Sequence, residues 1–418
     1  MKRLAGAFET LACAGTVLVL ALAPTQWSFP VRGVNVCLAD LLLLPVAGCW
    51  FPGVVLTGRW RRLLRRGHAG IGWLWPHALL ALAALVSLRV AADRGDALKE
   101  TVQILLYFIA APLLFHDFIA GAPLPSRDRR IRILLLALLA PLAVHLPLAA
   151  LQYRDAACDA LSVRGLFGNR NVLGGWLALV TPVLFGLAVG LRQWRVWLAA
   201  VLVLAAVFAL TLSGAAYAAL ALALLLLAAH RGARLFLLLA CALALWQAAV
   251  LPRLPRENDA EHYRSVALYD DNGAPERRYP EWQAAAALIL THPLTGVGAG
   301  NYQREIGRYY GVVPNPTGPA EPDTQNLYLV IAATLGLPGL FALLALLGRG
   351  ALAAASAAAA DPAAWRKWTA AGIAAGIGAF AGAAVWHPLI VRGIGLPLAA
   401  LLALACALAA DTGAATHA

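Results

Sequence analysis

The sequence is poor in charged residues, in acidic residues above all, and in cysteine. Only 13% of its 418 residues are charged, with 21 acidic against 33 basic, and 6 are cysteine. Because soluble globular proteins carry roughly 25% charged residues, this composition excludes that class. The cysteines form no Cys-x-x-Cys pair and most lie in apolar runs, which predicts neither a disulfide framework nor a zinc site.

Apolar residues are abundant instead. They make up 61% of the chain, and the mean hydropathy is +0.73. Apolar runs occur at 11–29, 35–56, 70–91, 98–120, 131–152, 171–191, 196–213, 214–229, 233–251, 326–347, 369–386 and 393–410. Since a membrane-spanning helix needs about 20 apolar residues, we expect an all-α polytopic integral membrane protein with about 12 transmembrane helices. At Ser213-Gly214, one kinked span is the alternative to two.

The net charge of +12 has a topological explanation. In a soluble protein it would suggest a nucleic-acid partner, but here lysine and arginine concentrate in alternate connections between the predicted spans. Basic residues in short connections prefer the cytoplasm. This pattern places both termini in the cytoplasm, and it predicts membrane lipids rather than nucleic acid as the surroundings of the basic residues.

One long polar segment divides the chain into three parts. Residues 1–251 carry predicted spans one to nine, residues 252–325 form the polar segment, and residues 326–418 carry the last three spans. Long loops in compact proteins commonly carry function. Residues 281–290 have an apolar helical pattern, so we expect a partly helical loop that lies on the outer face of the membrane.

A polar cluster precedes the sixth predicted span. It contains Arg164, Asn169, Arg170 and Asn171. Arginines beside the N-terminus of a helix can bind a phosphate group, because the guanidinium groups and the helix dipole both favour an anion. The alternative is a helix cap with arginines that reach the lipid headgroups.

Two further polar clusters flank the second half of the long segment. Arg278 and Trp282 open its helical stretch, where an arginine can bind a pyrophosphate or form an ordinary surface salt bridge. The polar residues that lead into the tenth predicted span are Asp323, Thr324, Gln325 and Asn326. An N-cap by Asp323 or Thr324 is the alternative to a ligand site there.

Between these clusters lies a glycine-rich stretch. His292-Pro293 is followed by Gly296, Gly298 and Gly300 and then by Asn301. Glycines let a backbone approach a ligand closely. Since no Lys-Ser/Thr pair follows, this is not a P-loop, and a tight turn is the alternative to a phosphate site.

Two features inside the predicted spans have structural explanations. Gly372 and Gly376 lie at small-residue spacing, which favours close helix packing within the chain over a dimer contact. His145 lies deep in the fifth predicted span. We expect a neutral imidazole that is hydrogen bonded to a helix carbonyl, although an ionisable group inside a membrane is also a functional candidate.

Taken in order, these motifs resemble those of a known family. The matching motifs are Gly168-Asn169-Arg170-Asn171, Arg278-x-x-x-Trp282, His292-Pro293-Leu294-x-Gly296-x-Gly298-x-Gly300-Asn301, Gln325-Asn326-x-Tyr328-Leu329 and Leu335-Gly336-x-x-Gly339-Leu340. They resemble the O-antigen ligase and polymerase superfamily, and the resemblance covers most of residues 160–347.

The resemblance implies a metal-independent membrane glycosyltransferase with a GT-C-like fold at the periplasmic side of the bacterial inner membrane. It would need no cofactor and would move a glycan from undecaprenyl-pyrophosphate to a hydroxyl acceptor, with the lipopolysaccharide core as the expected acceptor. Arg278 matches the arginine expected to bind the pyrophosphate, and Arg164 and Arg170 are candidates to share its charge. The substrate-binding candidates that accompany them are Asn169, Asn171, Trp282, His292, Gly296, Gly298, Asn301 and Asn326.

Two positions depart from the family pattern. Ser213 is followed directly by Gly214, where family ligases have an arginine between the two. Gln325 replaces the histidine that is the proposed base, and glutamine cannot accept a proton at neutral pH. We expect Asp323 to serve as the base, whereas His292 in that role, or Gln325 as a residue that only orients the acceptor, are the alternatives.

The resemblance leaves several functions open. A repeat-unit polysaccharide polymerase or a protein O-oligosaccharyltransferase would use the same donor with another acceptor. The alternative of a different class is a transporter or a catalytically silent family member. A transporter would place polar residues at the centre of the membrane and break its spans in pairs, whereas the polar clusters here lie at the outer ends of spans.

Overall fold

The computed structural model describes residues 2–25, 28–31, 34–61, 71–156, 163–168, 170–210, 214–229, 239, 275–312, 325–387, 389 and 393–415. This part of the chain is almost entirely helical, which confirms the predicted all-α polytopic membrane class. A short antiparallel hairpin, β1 (Ser28–Val31) with β2 (Val34–Cys37), was not predicted. It joins the first two helices.

The helices follow the chain in order. Those before the sixth predicted span are α1 (Lys2–Leu22), α2 (Leu38–Leu56), α3 (Ile71–Ser87), α4 (Arg94–Leu105), α5 (Ala111–Ala120), α6 (Leu124–Leu139) and α7 (Leu142–Asp155). A π-helical turn, Leu106–Ala110, joins α4 to α5. The later helices are α8 (Arg170–Leu191), α9 (Trp194–Leu210), α10 (Gly214–Ala229), α11 (Pro275–Thr291), α12 (Tyr302–Ile306), α13 (Leu327–Ala360), α14 (Ala364–Ala383) and α15 (Gly395–Ala415).

Among the described residues, 7 helical segments are long and apolar enough to cross a membrane. Three shorter apolar helices, Trp73–Ser87, Trp194–Leu204 and Ala216–Ala229, accompany them. Each predicted span overlaps a helix, except 233–251, of which the structure describes residue 239 alone. The total of twelve spans and the three-part division of the chain therefore stay predictions.

α8 and α14 pack against each other at the centre of the bundle. A Cβ atom on Gly372 would lie 2.5 Å from the carbonyl oxygen of Pro182, and one on Gly376 would meet the carbonyl oxygen of Leu179. These glycines therefore let the two backbones approach closely. The predicted packing within the chain is confirmed at both positions.

Ion pairs join the helices at one end of the bundle. Arg59 is 6% exposed, donates to Glu9 at 2.7 Å and lies 3.4 Å from Asp117, which also accepts from the Trp50 indole at 3.0 Å. Further ion pairs at this end are Arg127–Asp411, Arg366–Asp411 and Arg366–Asp361. Because a buried charge without a partner is costly, these pairs hold the helix ends in register.

The long polar segment contacts the opposite end. Helical structure runs from Arg94 to Ala120, so Asp93 and Asp117 lie at opposite ends of one segment. The described residues of the long segment contact the Asp93 end through Asn301. The candidate site and the ion-pair cluster are thus separated by the length of a span.

Candidate functional site

A break in α13 receives the glycine loop, which we define as residues 292–301. Gly336 interrupts the helix with φ 73° and ψ 177°. The hydrogen bonds between loop and helix are Leu337 N–H to Pro293 O at 2.8 Å, Val297 N–H to Ala333 O at 2.9 Å and Gly298 N–H to Thr334 O at 3.0 Å. The loop therefore satisfies peptide groups that the break would leave without partners.

The glycines of this loop serve its backbone geometry. Gly296 and Gly298 have φ values of 62° and 103°, and a Cβ on Gly298 would lie 2.6 Å from the Cβ of Ala91. Their N–H groups donate to the carbonyl oxygens of His292 and Thr334. These hydrogen bonds favour the tight turn, and substrate binding at Gly296 and Gly298 stays a prediction.

Asn301 fastens the glycine loop to the start of α4. Its Oδ1 accepts from the Asp93 N–H at 2.7 Å, and its Nδ2 donates to the Asp93 and Ala299 carbonyl oxygens at 3.1 and 2.9 Å. The residue is 1% exposed. Because its amide is fully engaged by the backbone, Asn301 holds the glycine loop in position, and its contact with substrate stays a prediction.

Asp93 also belongs to this site, and it was not predicted from the sequence. Its carboxylate caps α4 by accepting from Gly95 and Asp96 N–H groups at 2.9 and 3.1 Å, and it pairs with Arg304 at 2.8 Å. The N–H groups of Asp96 and Gly95, together with Arg304, hold the pKa of Asp93 below its usual value. An acidic residue directly before a helix was the sequence signal for this cap.

Asn326 caps α13. Its Oδ1 accepts hydrogen bonds from the N–H groups of Tyr328 and Leu329 at 3.0 and 3.1 Å. The N-cap predicted at Asp323 or Thr324 is therefore wrong. Asn326 is 7% exposed, and its contact with substrate stays a prediction. Gln325 has a φ of 48°, a left-handed conformation that is uncommon for residues other than glycine and often accompanies functional sites.

The predicted residues of the long segment lie at different positions around α13. Trp282 of α11 lies with its ring 5.9 Å from that of Trp386, and His292 is exposed directly after α11. Arg278 lies in the first turn of α11, and its side chain is outside the described part of the structure. Outside the described residues lie Asn169 and Asp323.

The segment before α8 is held by side chains of α7. The Gln152 amide accepts from the N–H groups of Arg164 and Gly165 at 3.0 and 2.8 Å and donates to the Gly165 carbonyl oxygen at 2.9 Å. His145 Nδ1 accepts from the Leu166 N–H at 3.4 Å, whereas the expected bond was one to a helix carbonyl. These contacts leave the Arg164 side chain exposed.

Arg170 and Asn171 form the first turn of α8, where both are half-buried. Gln152 and His145 thus position the chain that leads from Arg164 to these two residues. The arrangement places basic groups at a helix N-terminus, as the sequence predicted, and such a position favours anions.

A cavity of about 350 Å³ lies between α4, the glycine loop, α12 and the first turns of α13. Its lining residues are Asp96, Lys99, Glu100, Ile104, Ala299, Gly300, Tyr302, Gln303, Leu327, Val330, Ile331, Thr334 and Leu335. A Cβ on Gly300 would lie 2.8 Å from Cγ of Glu100, so this glycine lets the loop approach α4. The α4 side of the cavity was not predicted from the sequence, although charged residues at the start of an apolar run were a signal.

A comparison with known families gives one match. Residues 198–344 match the model of the O-antigen ligase family. The match covers about a third of the chain and confirms the resemblance that the motifs indicated. No curated protein matches the chain.

The O-antigen ligase match spans the glycine loop, Gln325 and the break in α13. It indicates a glycosyltransferase of the ligase or polymerase type in a multi-pass membrane protein. The Arg164–Asn171 segment and the α4 side of the cavity lie outside the matched residues.

Proposed function

We propose that the protein is a periplasm-facing glycosyltransferase that moves a glycan from undecaprenyl-pyrophosphate to a hydroxyl of the lipid A core. The observation that supports the proposal is the contact between two of the O-antigen ligase motifs. The glycine loop docks into the break at Gly336 of α13, the helix that begins directly after Gln325 and Asn326.

In this proposal, arginines bind the departing pyrophosphate. The transfer leaves negative charge on the carrier, so positive side chains lower the energy of the transition state. Arg278 binds the pyrophosphate, and Arg164 and Arg170 share its charge. The exposed Arg164 and the position of Arg170 at the N-terminus of α8 support this role.

A base must accept the proton of the acceptor hydroxyl. Asp323 is the proposed base, because it lies close in sequence to Gln325, and Gln325 orients the acceptor. With arginines to stabilise the leaving group and a carboxylate to take the proton, the reaction requires no metal ion. If Asp323→Asn kept full transfer activity, this assignment would fail and His292 would be the next candidate.

The proposed orientation places the glycine-loop end of the bundle at the periplasmic face of the inner membrane, with both termini in the cytoplasm. The basic connections that the positive-inside pattern assigns to the cytoplasm include Arg59, Arg127 and Arg366. In the structure these three residues belong to the ion-pair cluster at the end away from the glycine loop. This separation supports the orientation.

A knockout strain of the host tests the proposal. The wild-type gene is expected to restore glycan transfer to the lipid A core, and Arg278→Ala is expected to lower it roughly 100-fold, as for loss of one transition-state donor. Arg308→Ala is the matched control, because Arg308 is exposed on the same segment and pairs with the nearby Glu305 at 2.7 Å. Restoration by Arg278→Ala would contradict the proposed pyrophosphate contact.

A further inference from the structure

The cavity beside α4 has the size of a small-molecule site. Its volume of about 350 Å³ lies at the lower end of the range for ligand pockets, which is roughly 300–1,000 Å³. It is formed by the start of α4, by the glycine loop with α12, and by α13, so the fold itself creates it.

The charges in the cavity disfavour an anion. Asp96 and Glu100 contribute two carboxylates, and Lys99 contributes one ammonium group, whose nitrogen lies 3.8 Å from Asp96. The remaining negative charge would repel a pyrophosphate, since like charges in a cavity disfavour binding. The cavity is therefore unsuited to the carrier end of the proposed donor.

The lining has one polar and one apolar side. Glu100 and Gln303 supply hydrogen-bonding groups from α4 and α12, while Leu327, Ile331 and Leu335 of α13 supply an apolar face. A sugar ring has the same division, with hydroxyl groups around its edge and C–H groups on its faces. Carboxylates accept hydroxyl hydrogen bonds strongly, because such bonds are charge assisted.

The cavity lies next to the proposed reaction site. Leu327 lines it and is separated from Gln325 only by the capping Asn326. We infer that this cavity binds a phosphate-free sugar of the acceptor and presents a hydroxyl toward the start of α13. This inference rests on the proposed function, because the sugar is an acceptor only if the protein transfers glycan. Binding of the sugar can be tested separately.

A binding experiment tests the sugar site directly. Protein in nanodiscs is titrated with dephosphorylated core oligosaccharide from the host, and inorganic pyrophosphate is the competing compound. The wild-type protein is expected to bind the oligosaccharide without competition, and Glu100→Gln is expected to bind it about tenfold more weakly, as loss of a charge-assisted hydrogen bond implies. Absence of binding by the wild type, or competition by pyrophosphate, would overturn the inference.

Two variants separate binding from folding. Gln303→Ala changes an exposed side chain of the cavity and is expected to weaken binding in the same direction, even if Glu100→Gln lowers stability. Asp155→Asn removes another exposed carboxylate, which pairs with Arg154 outside the cavity, and is expected to bind as the wild type does. Equal binding by all three variants would contradict the site.

Transfer kinetics distinguish this inference from the proposed function. If the protein transfers glycan, Glu100→Gln should raise the KM for the acceptor about tenfold and leave the KM for the carrier-linked donor unchanged. An unchanged acceptor KM would overturn the inference and leave the glycosyltransferase in place. Oligosaccharide binding without any transfer by the wild type would instead contradict the proposed function.

Discussion

Gly298 has a φ of 103° and lies against Ala91, so an alanine at this position has neither the backbone conformation nor the space it needs. Gly298→Ala is expected to destabilise the protein by about 1–3 kcal/mol, the usual cost of a strained backbone residue. Thermal unfolding in detergent, followed by tryptophan fluorescence, measures the effect.

Gly307→Ala is the matched control for this prediction. It follows α12 on the same segment, and a Cβ there would meet nothing within 4 Å. Its effect on stability should stay within about 0.5 kcal/mol, as for ordinary surface substitutions. Equal losses in the two variants would show that the glycine loop does not depend on its close approach to α3 and α4.

Single residues also show how far the sequence could predict the site. The glycine loop and the start of α13 were recognisable from their motifs, but the roles of Asn301 and Asn326 were not. Asn301 bonds with Asp93, a residue more than two hundred positions away, and no local pattern specifies such a partner. Asn326 and Asp323 are both good capping residues, so only the backbone geometry decides between them.

At the scale of elements, α7 determines where the chain before α8 lies. Gln152→Ala would leave the N–H groups of Arg164 and Gly165 without their acceptor. We expect faster hydrogen exchange at these two amides and lower transfer activity, because Arg164 and Arg170 would lose their fixed position. Hydrogen exchange by mass spectrometry and a transfer assay measure the two effects.

Gln193→Ala is the control for this element, since Gln193 is exposed in the turn before α9. It should change neither the exchange of residues 164–166 nor the activity. If Gln152→Ala also left both unchanged, α7 would not position the arginines.

The helices themselves were the most predictable elements. Inside a membrane every backbone group must bond within the chain, so an apolar run of sufficient length becomes a helix whatever its neighbours are. The break at Gly336 and the polar start of α4 did not follow from that rule. The break at Gly336 depends on backbone hydrogen bonds with the glycine loop. The start of α4 packs against the same loop.

For the whole molecule, the proposed orientation requires that the glycine loop and the connection between α13 and α14 face opposite sides of the membrane. Single cysteines at Arg308 and at Pro362, both exposed, test this in a cysteine-free background. A reagent that cannot cross the inner membrane should label the cysteine at 308 and not that at 362 in intact spheroplasts. Labelling at 362 alone would reverse the proposed orientation.

Glycan transfer by the purified protein in nanodiscs tests the proposed activity most directly. The donor is undecaprenyl-pyrophosphate glycan from the host, the acceptor is host lipopolysaccharide, and EDTA is present. The account predicts glycan on the lipid A core with the wild type and with Arg308→Ala, and a loss of roughly 100-fold with Arg278→Ala. Lengthened carrier-linked glycan would identify a polymerase instead, and no product from the wild type would contradict the account.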